Sequence, residues 1–176
     1  MIRWFLRLLT RHVLGRPRII FGGTGCEPYL SRWFLLPWKR PTMPDGSEPF
    51  DQFGDTREGV RWPEGWNIYL HCFHRSDEDR ELHNHPWQWA RSVILAGGYL
   101  EERRTPQGGV AIRGYLPFST NSISADTFHR VELLEQDCWS LILVGPKVGT
   151  WGFWDRFSRA FVPWRQFLER KRGASA

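Results

Sequence analysis

The sequence predicts an all-β fold, a small barrel, jelly roll or sandwich that carries helices only at its ends. The 176-residue chain contains seven or eight short runs rich in branched and aromatic residues, and turns containing Gly or Pro separate these runs. Hydrophobic residues make up 41% of the chain and charged residues 24%. These proportions suit a packed core and argue against a disordered chain.

The N-terminal residues predict an amphipathic helix. Arg3, Arg7 and Arg11 recur every four residues and so lie along one stripe, while apolar residues cover much of the remaining surface. Gly15 and Pro17 end the helix. We expect this helix to pack against the barrel. The alternative is a basic amphipathic helix that rests on a membrane surface or on a protein partner.

Charge and composition divide the chain into three predicted segments, an N-terminal helix and extension (1–27), a barrel (28–155) and a basic C-terminal tail or helix (156–176). Residues 1–40 contain eight basic side chains and one acidic one, whereas residues 41–155 contain ten basic and seventeen acidic ones. The net charge of +5 therefore belongs to the two ends. The acidic central part argues against nucleic-acid binding by the barrel.

The cysteine pattern and the hydropathy pattern bear on the compartment. Cys26, Cys72 and Cys138 are odd in number and far apart, which argues against a disulfide framework and against a zinc–thiolate site. We expect free thiols with no nucleophilic role. No apolar run approaches the roughly 20 residues of a membrane-spanning helix, and charges interrupt the apolar N-terminus, unlike a signal peptide. We therefore expect a cytoplasmic protein.

The predicted strands follow the N-terminal helix in order. They are 28–38, 67–73, 90–104 with a break at Gly97-Gly98, 110–118, 122–134, 138–145 and 151–154. The turn at 106–109 joins two of these runs into a hairpin. Residues 41–66 contain four Pro and four Gly and form a long irregular connection, which in a compact domain is often a lid or a binding loop.

Five of the six histidines lie between residues 71 and 129. His83 and His85 are two residues apart, so on a strand both imidazoles face the same side. His129 lies on a later predicted strand and can close a site from across a barrel. Neutral imidazoles are natural ligands of a divalent metal, and we predict that these three residues hold one. His71 shares a predicted strand face with Tyr69 and is expected beside the metal ligands, as a fourth ligand, or as a buried histidine with a backbone hydrogen bond.

Other side chains are candidates for substrate contact. Arg91, soon after the two histidines, can grip a carboxylate or phosphate if it faces inward, whereas the alternative is an outward-facing residue in a surface ion pair. Tyr99 is a second inward candidate, and His71 is a third. Of Glu101 and Glu102 only one can point inward, because neighbours on a strand face opposite sides.

The stretch HNHPWQWARSVILAGGYLEE resembles the first motif of the cupin superfamily, which places HxH ahead of a Glu, a short strand and a Gly. His83, His85 and Gly97 occupy the matching positions, and in SADTFHRVEL His129 matches the single His of the second motif. The resemblance covers roughly Asn67–Gly145 and implies a double-stranded β-helix barrel, which in this superfamily often forms homodimers through its sheets.

The chain departs from the cupin pattern at the motif carboxylate. No carboxylate stands near Trp89 or Ala90, where the family has its Glu ligand, and Ser124 and Asp126 stand where the second motif has Pro and Gly. A three-histidine set without Glu looks like that of cysteine dioxygenase and related thiol dioxygenases. The stretch YLHCFHRSDEDRELHNHPW is also similar to small uncharacterised cupins of bacteria and their phages.

Three classes of function are compatible with these patterns. The resemblance to thiol dioxygenases implies a non-haem Fe(II) dioxygenase acting on a small polar substrate such as a thiol, with Zn or Mn as alternative metals. The second class is a cupin isomerase or epimerase of sugars or nucleotide sugars, in which a pocket Glu or His moves a proton. The third is a non-catalytic ligand-binding or interaction module.

Overall fold

The runs of branched and aromatic residues form eleven strands in the computed structural model of the chain, which describes residues 1–21, 27–52, 55–78 and 81–173. The strands are β1 (Arg18–Phe21), β2 (Pro28–Phe34), β3 (Asn67–Phe73), β4 (Trp89–Ala96), β5 (Tyr99–Arg104), β6 (Val110–Tyr115), β7 (Thr120–Ser124), β8 (His129–Leu133), β9 (Cys138–Val144), β10 (Gly152–Asp155) and β11 (Ala160–Pro163). The helices are α1 (Ile2–Leu9), which continues as a wider turn over Thr10–Leu14, the short turn Pro37–Lys39, and α2 (Trp164–Gly173).

The strands form three sheets in which every described pair is antiparallel. The largest has the order β1-β2-β3-β9-β4-β7, the second β6-β5-β8, and the third β10-β11. Side chains from the first two sheets pack together in one apolar cluster. This arrangement confirms the predicted all-β, jelly-roll class with short terminal helices.

The strand boundaries differ from the predicted ones in several places. The strand predicted at 28–38 ends at Phe34, because Pro37–Lys39 form a short helical turn. The run predicted at 122–134 is two strands, β7 and β8, because a turn at 125–128 separates them. β1 lies within the predicted N-terminal extension and β11 within the predicted C-terminal tail, so the sheets reach further toward both ends than the patterns indicate. The three-segment division itself stays a prediction.

The strand β3 is covered on both of its faces, which determines the direction in which its histidine points. Tyr69 and His71 face the barrel interior, and Leu70 and Cys72 face the opposite side. The outer face is covered by α1, whose Leu6 packs in one cluster with Trp33, Leu70, Cys72, Ala96 and Trp139. The prediction that the N-terminal helix packs against the barrel is therefore confirmed.

Ion pairs supplement this apolar contact of α1. Arg3 and Arg7 both form salt bridges with Asp137, at 2.7 and 3.0 Å, at the start of β9. Contact of the helix with a membrane surface or a protein partner stays a prediction. Within the described parts of the chain, every helix is too short or too polar to cross a bilayer.

The two described cysteines behave as predicted. Cys72 and Cys138 are buried and free, and burial raises the pKa of each thiol to about 12. Both therefore stay protonated at neutral pH and are poor nucleophiles. Cys26 lies outside the described residues.

Candidate metal centre

The imidazoles of His83, His85 and His129 converge at one place in the barrel. Their ring centroids are separated by 5.0 to 5.1 Å, and one nitrogen from each ring lies within 4.8 Å of the others. Nε2 of His85 lies 2.9 Å from Nε2 of His129. The three residues that the sequence predicts as metal ligands are thus brought together by the fold.

The segment that carries His83 and His85 is extended but is not part of a regular strand. The expectation that both residues lie on a strand is therefore wrong, although their side chains do converge. The main chain of His83 instead exchanges two hydrogen bonds of 2.8 Å with that of His129. Asn84 points away and fixes the segment, since its side chain donates to the Ala125 carbonyl at 2.9 Å and accepts from the Gly152 amide at 2.9 Å.

A buried carboxylate orients one of the three rings. Oε1 of Glu101 lies 2.5 Å from Nδ1 of His129, and the Glu101 side chain is only 1% exposed. Asn121 and Arg103 also donate to this carboxylate. Its neighbour Glu102 faces the opposite way and pairs with Arg130 at 2.9 Å. The structure thus selects Glu101 as the inward carboxylate, and Glu101 contacts a candidate ligand rather than belonging to the ligand group itself.

Burial favours a neutral imidazole at His85. Burial, and then the charges that His129 and His83 would carry, hold the pKa of His85 well below its ordinary value. Burial raises the pKa of Glu101, but the hydrogen bond from His129, the charge that His129 would carry, and hydrogen bonds from Asn121 and Arg103 outweigh burial and lower the pKa to about 2. An ionised Glu101 accepts a hydrogen bond from Nδ1–H of His129, and in the neutral ring this leaves the Nε2 lone pair to face the other two histidines.

The three residues fit a small divalent cation. Metal–nitrogen bonds of about 2.0–2.1 Å in tetrahedral geometry place neighbouring ligand nitrogens roughly 3.4 Å apart. The separation of 2.9 Å between the Nε2 atoms of His85 and His129 would have to widen by a few tenths of an ångström. Imidazole nitrogens suit Fe or Zn, whereas Mn prefers oxygen ligands.

A cavity of about 240 Å³ opens onto the three imidazoles. Tyr99 lines it, as predicted for an inward-facing residue, and its hydroxyl accepts a hydrogen bond of 3.0 Å from Asn121. Burial raises the pKa of the Tyr99 phenol, so the hydroxyl keeps its proton at neutral pH. The phenolic proton is therefore available to a molecule bound in the cavity.

His71 also lines the cavity but does not belong to the converging group. Its Nε2 accepts a hydrogen bond of 2.8 Å from Nε of Arg32, so its hydrogen-bond partner is an arginine and not a candidate ligand. His71 is therefore neither a fourth member of the converging group nor hydrogen-bonded to one of its members. His71 and Arg32 face each other because they are register partners on β3 and β2.

The prediction that Arg91 faces inward to contact a substrate is wrong. Its side chain is exposed and lies outside the cavity lining, whereas its neighbours Ala90 and Ser92 both line the cavity. Because side chains alternate along β4, Arg91 faces away from the interior. The arginines that line the cavity are Arg32 and Arg18, on β2 and β1.

The sequence around Arg32 could have predicted that this residue faces the cavity, but the prediction was not made. In the run SRWF, a charged residue interrupts an otherwise apolar strand that has no exposed face. A charged residue in such a strand indicates that a partner or ligand compensates its charge, because an unpaired buried charge is costly. Arg18 lies in a run too short to be recognised as a strand.

Known proteins match this chain in structure but not in sequence. No protein-family model matches it, and no curated protein matches it. One similar solved structure is an oxalate oxidase, with 12% identity and a TM-score of 0.42, in which the match covers 49% of this chain and 45% of that one. Another is Bacillus subtilis oxalate decarboxylase at pH 4.6, with 14% identity and a TM-score of 0.46, in which the match covers 75% of this chain and 27% of that one. A third is KdgF from Halomonas sp., with 15% identity and a TM-score of 0.43, in which the match covers 69% of this chain and 84% of that one.

These matched structures are cupin-fold proteins. The matched region is less than half of the oxalate oxidase chain and about a quarter of the oxalate decarboxylase chain. All three TM-scores are below 0.5, so the fold described here rests on its own strand order. The activities in the names of the matched proteins belong to those proteins. The cysteine dioxygenase-like subtype and an association with phages stay predictions.

Proposed function

We propose that this chain is a metal-dependent enzyme in which His83, His85 and His129 hold Fe(II), and that it is a dioxygenase of a small polar substrate such as a thiol. The observation that carries the proposal is the convergence of three imidazoles on one cavity, in a ligand group that contains no carboxylate among the described residues. The absence of a ligating carboxylate favours a thiol-dioxygenase-like centre over the two-histidine, one-carboxylate type of iron site.

The metal would supply open coordination positions at which substrate and dioxygen meet. For a thiolate substrate the reaction balances without another reductant, because both atoms of one dioxygen molecule are added to the sulfur and give a sulfinate.

The side chains of the protein prepare this chemistry. Glu101 holds His129 in the tautomer whose Nε2 lone pair faces the site. Tyr99 offers its phenolic proton to the bound substrate, and Asn121 holds both the Tyr99 hydroxyl and the Glu101 carboxylate at 3.0 Å. The largely apolar walls exclude water from the reacting groups.

Metal analysis and oxygen uptake test the proposal. We expect the protein, purified anaerobically with Fe(II), to contain about one iron per chain, and the His83→Ala/His85→Ala variant to contain almost none. The exposed His12 provides the control, since His12→Ala should keep the metal. The iron-loaded protein should consume oxygen with one or more small thiols, and His129→Ala should not.

Three kinds of outcome would contradict the proposal. A protein without bound iron, or one whose oxygen uptake survives His129→Ala, would remove the iron-dioxygenase function. Turnover of a sugar or nucleotide sugar without oxygen, by a zinc- or manganese-loaded protein, would replace it with the isomerase or epimerase alternative. Binding of a ligand without any turnover would favour the non-catalytic module.

A further inference from the structure

Arg32 is a buried cation on the wall of the cavity. Its side chain is 7% exposed and lines the same cavity as the three converging imidazoles. Nε donates to Nε2 of His71 at 2.8 Å. Among the residues that the structure describes, no carboxylate forms a salt bridge with this guanidinium, whereas seven other arginines form such bridges.

The neighbours of Arg32 leave its charge uncompensated. Its Cζ lies 4.9 Å from the ring centre of Tyr69 and 5.3 Å from that of Trp87, and both rings are neutral. Burial, and then the charges of Arg32 and Arg18, hold the pKa of His71 well below its ordinary value, so His71 is a neutral acceptor. Burial lowers the pKa of Arg32 as well, but an arginine side chain remains protonated in proteins. A buried charge without a counter-ion is unfavourable for the fold, so a bound anion that supplies the counter-ion would offset this cost.

The rest of the cavity is also poor in negative charge. Arg18 and Lys147 line it, and Asp55 is the one acidic residue among the described lining residues. The charge of Asp55 acts on Arg18, whose pKa is lowered to about 9, first by burial and then by the charge of Arg32. Trp62 also lines the cavity, and its buried indole N–H donates no hydrogen bond to any of the described residues.

Trp87 connects Arg32 with the histidine site. Its ring stacks on that of His85, with centroids 5.4 Å apart, and the Arg32 guanidinium lies 5.3 Å from the centre of the same ring. The charge of Arg32 is close enough to contribute to the lowered pKa of His85. One small molecule can therefore reach both the imidazole group and the guanidinium across a single aromatic ring.

We propose that Arg32 binds the carboxylate group of the substrate, so that the enzyme acts on a small organic acid. This inference rests on the proposed function for the metal end of the cavity. Nε of Arg32 is already engaged by His71, which leaves the two terminal nitrogens as a planar pair of donors. Such a pair matches the two oxygens of a carboxylate. A phosphate would require further buried hydrogen-bond donors beside Arg32. The other two cations of the cavity do not meet this requirement as well, because Arg18 is only partly buried and Lys147 is exposed.

A titration with propionate tests the subsite directly. Propionamide, of similar shape but neutral, and inorganic phosphate are the comparison probes, and binding is followed on the indole N–H signals of the labelled protein by nuclear magnetic resonance. We expect propionate to bind more tightly than propionamide and phosphate. Arg32→Met should weaken propionate binding by about thirtyfold or more, as is usual when one partner of a buried charge pair is removed. The exposed Arg91→Met is the matched control and should bind propionate like the parent protein.

The stability of the ligand-free protein provides a second readout. Because Arg32 is buried without a counter-ion, Arg32→Met should keep or raise the melting temperature while it weakens propionate binding. A variant that melts at a lower temperature and still binds propionate would show that Arg32 is a structural partner of His71, and would overturn the proposal. Equal binding of propionate and propionamide, or preference for phosphate, would overturn the assignment to carboxylates.

The metal-free protein separates this inference from the proposed function. If propionate binds in an Arg32-dependent manner but no metal is found, the subsite stands and the metal centre fails. If iron binds and propionate does not, with or without iron, the metal centre stands and the subsite fails.

Discussion

Nδ1 of His129 lies 2.5 Å from Oε1 of Glu101, and this contact determines which nitrogen of the imidazole faces the candidate metal position. Glu101 is itself held by Asn121 and Arg103, so the ring of His129 is oriented by a chain of buried hydrogen bonds. Partners of this kind raise the basicity of a ligating histidine and fix its tautomer.

Replacing the carboxylate of Glu101 should therefore weaken metal binding. We expect Glu101→Gln to reduce the affinity for Zn(II) or Fe(II) by about 10- to 100-fold, because an amide is a weaker acceptor for the Nδ1 proton. Competition with a chromophoric chelator measures the affinity. Glu102→Gln is the matched control, since Glu102 faces outward toward Arg130 and should bind metal normally. Equal affinities of the two variants would remove Glu101 from the site.

The buried His71 should make the stability of the protein depend on pH. Its pKa in the folded state is well below the ordinary value of about 6.5, so below that pH the unfolded chain binds a proton that the folded protein excludes. The free energy of unfolding should thus fall as the pH drops below about 6.5, by at most about 1.4 kcal/mol per pH unit for this residue. Above pH 6.5 this contribution is constant.

Urea unfolding of the metal-free protein at pH 7.5, 6.0 and 5.0 measures this effect. His71→Gln keeps an acceptor for Arg32 and removes the titrating ring, so its stability should fall less steeply with acid than that of the parent protein. His12→Gln, in the exposed N-terminal region, should show the parental slope. Parallel profiles for the parent and His71→Gln would contradict the prediction.

The turn between β4 and β5 requires a glycine at position 97. Gly97 has φ of +74°, and a Cβ there would overlap with the carbonyl oxygen of Asp137. Gly46 has nearly the same φ, +76°, but open space around its Cβ position. We expect Gly97→Ala to destabilise the protein by about 2–4 kcal/mol more than Gly46→Ala, since only the former adds a steric clash to the backbone strain. Chemical denaturation of both variants measures the difference, and equal losses would contradict it.

Asp137 should control the docking of the N-terminal helix. Two arginines of α1 pair with this largely buried carboxylate, and Nε1 of Trp139 donates to it at 3.2 Å. Asp137→Asn should destabilise the helix–barrel contact by about 1–3 kcal/mol, because it leaves these donors poorly paired. Faster amide hydrogen exchange in residues 2–9 reports the loss.

Glu135 provides the control for this experiment. Its carboxylate is 52% exposed and also pairs with Arg3, but exposed pairs contribute little to stability. Glu135→Gln should thus leave the exchange of α1 almost unchanged. Similar exchange in Asp137→Asn and Glu135→Gln would mean that apolar packing of Leu6 alone holds the helix.

Much of the fold can be predicted from local patterns. The strand β3 lies where its branched and aromatic residues indicate, Gly97 breaks the long run between β4 and β5, and Gly15 ends the helical region. These features depend on steric preferences of neighbouring residues, which the local sequence already contains. The HxH spacing and the later His129 likewise indicated a common site, although the first pair lies in an irregular segment.

The sequence by itself determined the residue types, their alternation and the three histidines, whereas the tertiary structure decided which member of each alternating pair faces the cavity. Period-two alternation says that Glu101 and Glu102 face opposite sides, as do Arg32 and Trp33, but it does not say which side is the interior. That choice depends on the sheets that close the barrel and on the helix α1, which covers the outer face of β2 and β3 with apolar contacts. Arg32 therefore points inward because Trp33 packs beneath the helix, and only the assembled fold contains that reason.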